Sequence, residues 1–149
     1  MKRFWIACLG SWLIAAGVAH AEFIEASAPE KVLAVASRFG PAKLSTDSKG
    51  DPQIEGLIKG DRYWVFFYGC RDNAQCTEIQ LTTYLPAKKL PLERVNEWNS
   101  RKKMGRVYIA SDGDLTFDIV CNLDGGVSEK NLLDNFAWFQ VVWRELRTF

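Results

Sequence analysis

The spacing of apolar residues along the chain follows a helical period in three segments. In each segment apolar side chains recur every three or four positions and polar side chains fill the other face, which is typical of an amphipathic helix. The first segment begins at Pro29, a residue that suits the first turn of a helix, and ends before Gly40-Pro41. The predicted helices cover residues 29–39, 91–101 and 129 to about 147.

Between these helices the pattern changes to strict alternation or to runs of β-branched and aromatic residues. Alternation indicates a strand with one buried face, and a continuous apolar run indicates a strand that is covered on both faces. Asp112-Gly113 between two such runs is a hairpin signal, and Leu44 falls in a short extended piece. The five predicted strands cover residues 53–59, 62–68, 77–85, 106–110 and 115–123.

The predicted order of elements is α-βββ-α-ββ-α. Consecutive strands bracketed by helices predict an α+β fold with an antiparallel sheet. The chain has 149 residues, of which 48% are hydrophobic, so it is long enough for one domain with its own core.

The first 21 residues have the pattern of a cleaved signal peptide. Lys2 and Arg3 precede a 15-residue run without charge, and Ala19-His20-Ala21 is a small-x-small cleavage site. The run is shorter than the roughly 20 residues that a membrane-spanning helix needs. We therefore predict a signal peptide at 1–21 and a single domain at 22–149 without a membrane span. The expected location is the periplasm or the exterior of the cell.

Cleavage would change the side chains that are available for chemistry. It would remove His20, the single histidine of the chain, and turn the formal charge from +1 to about −1. A nearly neutral, exported domain gives no reason to expect nucleic acid as a partner. Without histidine, the serines lack the usual base for nucleophilic catalysis. We therefore predict no enzymatic activity, no catalytic residue, no metal and no cofactor.

Three cysteines remain in the predicted domain. Cys70 and Cys76 lie in a polar loop between two predicted strands, and Cys121 falls on the apolar side of its strand. A zinc site prefers four nitrogen or sulfur ligands, and a thioredoxin-type redox pair has the C-x-x-C spacing. In an oxidising compartment, we favour a structural disulfide between Cys70 and Cys76. Cys121 is then expected to be a buried, free thiol.

Acidic residues near the last predicted hairpin are the one group that could support hydrolysis. Asp112, Asp114 and Asp124 lie in or beside turns, and Asp118 lies on the polar side of its strand. Paired carboxylates can act as general acid and base. Because aspartate is also a standard turn residue, we favour turn formation for this group.

A candidate partner surface combines basic and apolar residues. Arg101, Lys102 and Lys103 follow the second predicted helix, where positive charge also complements the helix dipole. Trp138 and Val141 widen the apolar face of the last helix beyond one stripe. We predict that these five residues form a partner surface. Asn96 and Asn99 of the second helix are interpreted as side chains that bond backbone groups.

Several short motifs in a fixed order resemble the YbjN-like family, which is described as regulators of bacterial sensory transduction. The resemblance covers roughly residues 28 to 146. It is carried by FYGC at 67–70 with Cys76, RVNEWN at 94–99, GRVY at 105–108, DGDL at 112–115 and NLDGGVS at 122–128.

This resemblance implies a fold similar to that of type III secretion chaperones. Those proteins are commonly dimers that bind client segments, so the resemblance also implies a homodimer and a protein partner of unknown identity. It supplies no catalytic residue. We predict an exported, non-enzymatic protein-binding or chaperone-like module of the cell envelope. The alternatives are an accessory regulator in envelope signalling or stress response, and a hydrolase that uses Asp112, Asp114 and Asp124.

Overall fold

Two antiparallel sheets and three helices account for the residues that the computed structural model describes, 23–85 and 90–149. The predicted signal peptide lies outside these residues. The elements are β1 (Phe23–Ile24), α1 (Pro29–Ala36), β2 (Ala42–Thr46), β3 (Pro52–Ile58), β4 (Asp61–Tyr68), β5 (Glu78–Leu85), α2 (Leu92–Arg101), β6 (Arg106–Ile109), β7 (Leu115–Asn122), β8 (Val127–Ser128) and α3 (Glu129–Thr148).

The larger sheet has six strands in the order β2-β3-β4-β5-β7-β6, and every neighbouring pair is antiparallel. The smaller sheet pairs β1 with β8. These features confirm the predicted α+β fold with an antiparallel sheet.

The order of elements differs from the predicted α-βββ-α-ββ-α order in two places. Ala42–Thr46 forms a full edge strand rather than a short piece around Leu44, and β1 and β8 add a two-residue pair. The sequence does not show these strands because β2 is an edge with many polar side chains, and two residues carry no periodicity.

One face of the large sheet, the inner face, packs against α1 and α3. The ring of Tyr63 on β4 lies 6.1 Å from Phe136 and 5.9 Å from Phe139 on α3, and Phe117 on β7 stacks on Phe139 at 5.2 Å. Phe39, just after α1, stacks on Phe136 at 5.5 Å. The core therefore fills the space between this face and the helices.

The helix starts follow the sequence closely, but α1 ends at Ala36 and not at the predicted residue 39. The amides of Arg38 and Phe39 bond to carbonyls three residues back, so the chain leaves the helix in turns. Pro29 occupies the first turn of α1, and the Ser128 hydroxyl accepts a hydrogen bond from the Asn131 amide at 3.2 Å, which caps α3. Across residues 23–85 and 90–149, none of the helices combines the length and the apolar content that crossing a bilayer requires.

Candidate functional site

The side of the large sheet that points away from α1 and α3 is the outer face. No helix covers it in the described part of the chain, and its residues alternate along each strand with the core residues. Cross-strand pairing aligns one row of its side chains directly across all six strands: Lys43, Glu55, Trp64, Thr82, Asp118 and Arg106. Its other members used below are Leu57, Arg62, Tyr68, Gln80, Tyr84, Tyr108, Thr116 and Val120.

A buried carboxylate lies in this row. Asp118 is only 1% exposed, and its two oxygens accept hydrogen bonds from Arg106: Nε donates to Oδ1 at 2.8 Å and Nη2 to Oδ2 at 3.1 Å. The Gln80 amide also donates to Oδ2, at 3.0 Å. A buried charge needs this kind of compensation, and the bidentate geometry fixes the guanidinium plane. The hydrogen bond to Asp118 is the main cause that raises the pKa of Arg106.

The position of Arg106 depends on the glycine before it. Gly105 has φ +73°, and a Cβ there would lie 2.6 Å from the Asp118 carbonyl oxygen and 2.5 Å from the Phe117 ring. Only glycine allows the chain to approach β7 this closely in the left-handed region.

Exposed aromatic side chains surround the buried row. Tyr68 is 44% exposed and Tyr108 is 36% exposed, and the Arg106 guanidinium lies over the Tyr108 ring at 5.1 Å. Burial, followed by the nearby Asp118 carboxylate, raises the pKa of both tyrosines. Burial and the neighbouring Tyr108 raise the pKa of Tyr84. These hydroxyls therefore stay protonated at neutral pH and can donate hydrogen bonds.

A threonine beneath these rings lacks a hydrogen-bond partner. Thr116 lies directly between Tyr108 and Tyr84 in the strand register, and it is 1% exposed. Its Oγ1 has no hydrogen-bond partner among the described residues.

A shallow cleft opens at one end of the outer face. Its volume is about 400 Å³, and Trp64 and Tyr84 form part of its wall, with ring centroids 5.1 Å apart. The Arg62 guanidinium lies 6.0 Å from the centroid of the Trp64 ring and 3.1 Å from Glu55. The outer face therefore carries two groups of aromatic rings and guanidinium groups, one at this cleft and one at Arg106 and Tyr108.

The predicted acidic group does not form one site. Asp112 and Asp114 lie in the β6–β7 turn, where the Asp114 amide donates to Asp112 Oδ1 at 3.0 Å, and both line the cleft. Asp124 follows the opposite end of β7, where its amide donates to Asn122. An eight-residue strand separates the two ends by roughly 25 Å. The expectation that these carboxylates cluster is wrong, because they flank one strand at its two ends.

Cys70 and Cys76 are joined by a disulfide that closes the β4–β5 loop. Asn73 at its tip donates from Nδ2 to the Lys49 carbonyl and to Asp51 Oδ1, both at 3.0 Å, so the loop docks on the β2–β3 turn. Cys121 is a buried, free thiol, and burial raises its pKa to about 11. A thiol with this pKa carries little thiolate at neutral pH and is a poor nucleophile.

The predicted partner surface is only partly assembled. Lys102 reaches α3 and pairs with Glu145 at 2.6 Å, one helical turn beyond the half-buried Val141, whereas Arg101 pairs with Glu97 of its own helix at 2.8 Å. Lys103 is exposed, and Trp138 is 45% exposed on α3. The basic residues are therefore engaged largely in intramolecular ion pairs, which leaves Trp138 as the main apolar feature.

Acidic, histidine and cysteine side chains within residues 23–85 and 90–149 include no group of three or more that could hold a metal ion. The free thiol and the buried Asp118 are thus separate features rather than parts of one metal centre.

A comparison of the sequence with models of protein families shows to which family the chain belongs. The family model described as "YbjN: Putative bacterial sensory transduction regulator" matches residues 28–146. The chain belongs to the YbjN family. This match confirms the resemblance inferred from the motifs. A search of curated proteins found no match.

The outer face of this YbjN protein was not predicted as a site from the sequence. Alternation along β7 placed Asp118 on the polar side of its strand, but it gave no sign that the side chain is buried. Burial follows from Arg106 and Gln80, which lie on the two neighbouring strands. The order of strands in the sheet would have been needed to bring these three residues together.

Proposed function

We propose that this YbjN protein is an exported, non-enzymatic binding module that acts as an accessory regulator in a cell-envelope signalling system. The family description supports the regulatory role. The N-terminal pattern supports export, and the disulfide is typical of proteins in an oxidising compartment.

The proposal of a binding module rests mainly on the residues of the outer face. The side chains of this face include exposed tyrosines and arginines and the half-buried Trp64, residue types that are enriched among those that contribute most to protein–protein binding. Asp118 holds Arg106 in a fixed orientation, so little side-chain entropy would be lost when a partner docks. We propose that a protein of the cell envelope docks here, with Tyr68 and Tyr108 as its main contacts.

The same residues favour binding over catalysis. The buried carboxylate of Asp118 is already bonded to Arg106 and Gln80, and the Cys121 thiol is buried with a raised pKa.

A matched pair of variants tests the proposal. Crosslinking in cells followed by affinity capture should yield a discrete partner with the wild-type protein. Tyr68→Ala combined with Tyr108→Ala should reduce that yield at least tenfold, because both rings leave the surface. Trp138→Ala removes an equally exposed aromatic residue from α3 and should leave the yield unchanged. If only Trp138→Ala abolishes capture, the outer face is not the binding surface.

A chaperone-like role is the second candidate, and the exposed Trp138 on α3 is the observation that favours it. In this case Trp138→Ala should weaken the binding of unfolded client segments, while the tyrosine variants bind normally. Export is tested separately: mass spectrometry of the protein from a periplasmic fraction should find Glu22 as the first residue. An intact N-terminus at Met1 would contradict export by signal cleavage.

A further inference from the structure

The β2 edge of the large sheet has free backbone groups. Pro41 and Asp47, which flank β2, both form backbone hydrogen bonds with the β3 side of the hairpin, Pro41 with Leu57 and Asp47 with Asp51, each at 2.9 Å. Backbone groups alternate in direction along a strand. The N–H and C=O groups of Ala42, Leu44 and Thr46 therefore point away from β3. None of these six groups has a hydrogen-bond partner among the described residues.

The opposite edge of the same sheet is protected. The Asn99 side chain on α2 donates from Nδ2 to the Val107 carbonyl at 2.8 Å, and its Oδ1 accepts from the Val107 amide at 2.9 Å. One amide side chain thus satisfies both backbone groups of Val107 on β6, where a further strand would have to bind. Natural sheets protect their edges against unwanted pairing in this way, whereas no described group caps the outward backbone groups of β2.

We infer that β2 pairs with β2 of a second copy of this chain, in antiparallel orientation about a two-fold axis at Leu44. This register places Leu44 opposite Leu44 of the partner, and Ala42 opposite Thr46 of the partner. All six outward backbone groups of each strand then find partners, which gives six hydrogen bonds across the interface. The two sheets become one continuous sheet of twelve strands.

Charge disfavours one neighbouring register, and the hydrogen-bond count disfavours both. The register about Leu44 places Lys43 opposite Ser45 of the partner, while Glu55 lies opposite Lys43 within the protomer. A shift of the axis to Lys43 would oppose two lysines directly, which is destabilising, and would leave two outward backbone groups of each strand unpaired. A shift to Ser45 also loses two of the six hydrogen bonds. A formal charge close to zero does not oppose association of two copies.

The interface is small, so monomer and dimer are expected to exchange at micromolar concentrations. Analytical ultracentrifugation of the wild-type protein over a concentration series measures this equilibrium. Ser45→Glu places an acid opposite Lys43 of the partner and should tighten the dimer about three- to tenfold. Ser45→Lys opposes two lysines in each of two symmetric pairs and should weaken it by a similar factor.

Leu44→Pro is the more severe variant. The N–H that it removes points away from β3, so the β2–β3 ladder stays intact while the dimer contact is lost. We expect a folded monomer at every concentration. Leu44→Val keeps the N–H and should remain a dimer. A wild-type protein that stays monomeric throughout the series, or Ser45→Glu and Ser45→Lys dimers of equal affinity, would overturn the inference.

Discussion

The two faces of the six-stranded sheet are built from the same strands but differ in what covers them. On the inner face the rings of Tyr63 and Phe117 lie against α3, and apolar side chains fill the space between sheet and helix. On the outer face no described helix is present, and Val120 is 52% exposed. Asp118 on β7 and its neighbours Thr82 and Thr116 are buried although they lie on the uncovered face.

Because of this difference, residues of one strand are expected to have two roles. Those on the inner face stabilise the fold, and those on the outer face contact a partner. Burial of large apolar side chains dominates folding energy, so inner-face residues should control stability. Exposed outer-face residues should contribute little to stability and much to binding. The pair of the buried Asp118 with the exposed Arg106 should contribute to both, since the two hydrogen bonds satisfy the carboxylate and fix the orientation of the guanidinium.

The largest predicted effect comes from the inner face. Phe117→Ala should lower the free energy of unfolding by roughly 3–5 kcal/mol, because it leaves a cavity against Phe139. Val120→Ala, three residues along the same strand on the outer face, should change it by less than about 0.5 kcal/mol. Urea unfolding followed by tryptophan fluorescence measures both. Equal losses in the two variants would show that the faces do not differ in the way proposed.

Removing the guanidinium from the buried carboxylate should have the next largest effect. Arg106→Met leaves the Asp118 carboxylate with Gln80 as its remaining side-chain donor and should lower the free energy of unfolding by about 2–3 kcal/mol, because a charged acceptor loses two hydrogen bonds. Arg106→Met combined with Asp118→Leu removes the uncompensated charge as well. That double variant should be more stable than Arg106→Met alone in the same urea experiment. If it is less stable, the charge on Asp118 is not the source of the penalty.

The disulfide lies at the end of β4 and should act on stability without affecting recognition. Cys70→Ser combined with Cys76→Ser should lower the thermal stability by an amount equivalent to about 2 kcal/mol, because the unfolded loop regains conformational freedom. Capture of the partner at temperatures where the variant is folded should be unchanged. Loss of capture in the folded variant would make the loop part of the binding surface.

The smallest predicted effect concerns a buried hydroxyl on the inner face. Tyr63 Oη has no hydrogen-bond partner among the described residues, so Tyr63→Phe should leave stability at pH 7 unchanged or raise it by about 1 kcal/mol. A loss of more than this amount would mean that the hydroxyl makes a stabilising contact.

Alkaline pH provides a second measurement on the same variant. Burial raises the pKa of Tyr63 to about 12 from 10.0. As the pH rises from 10 to 12, the unfolded tyrosine loses its proton while the folded one keeps it, so unfolding becomes more favourable. Wild-type stability should therefore fall more steeply over this range than that of Tyr63→Phe. Parallel curves would contradict the raised pKa.

The helices and most of the strands could be predicted because their buried residues recur with a regular period along the sequence. Leu115, Phe117 and Ile119 alternate with outward residues, and Ser128 marks the start of α3 with a standard cap. Edge strand β2 was reduced to Leu44 because its pairing partner, rather than its own pattern, defines it. The prediction that Asn99 forms hydrogen bonds with backbone groups is confirmed. The sequence did not show that these groups belong to Val107 on β6.

The outer face could not be predicted because it depends on which strands are neighbours. Arg106 and Gln80 reach Asp118 only in a sheet where β7 lies between β5 and β6. Local patterns give the direction of each side chain but not the order of strands. The predicted partner residue Lys102 likewise forms a tertiary ion pair with Glu145 that the sequence does not reveal, whereas the pair of Arg101 with Glu97 is a local one four residues apart on α2.

The most direct test of the outer face as the binding surface is site-specific photo-crosslinking in cells. A photoreactive phenylalanine analogue replaces Val120 in one variant and Trp138 in another, since both positions are about half exposed on opposite sides of the molecule. We expect the variant with the analogue at position 120 to form a discrete crosslinked product with an envelope protein, and the variant with the analogue at position 138 to form none. A crosslinked product from position 138 with none from position 120 would contradict this expectation.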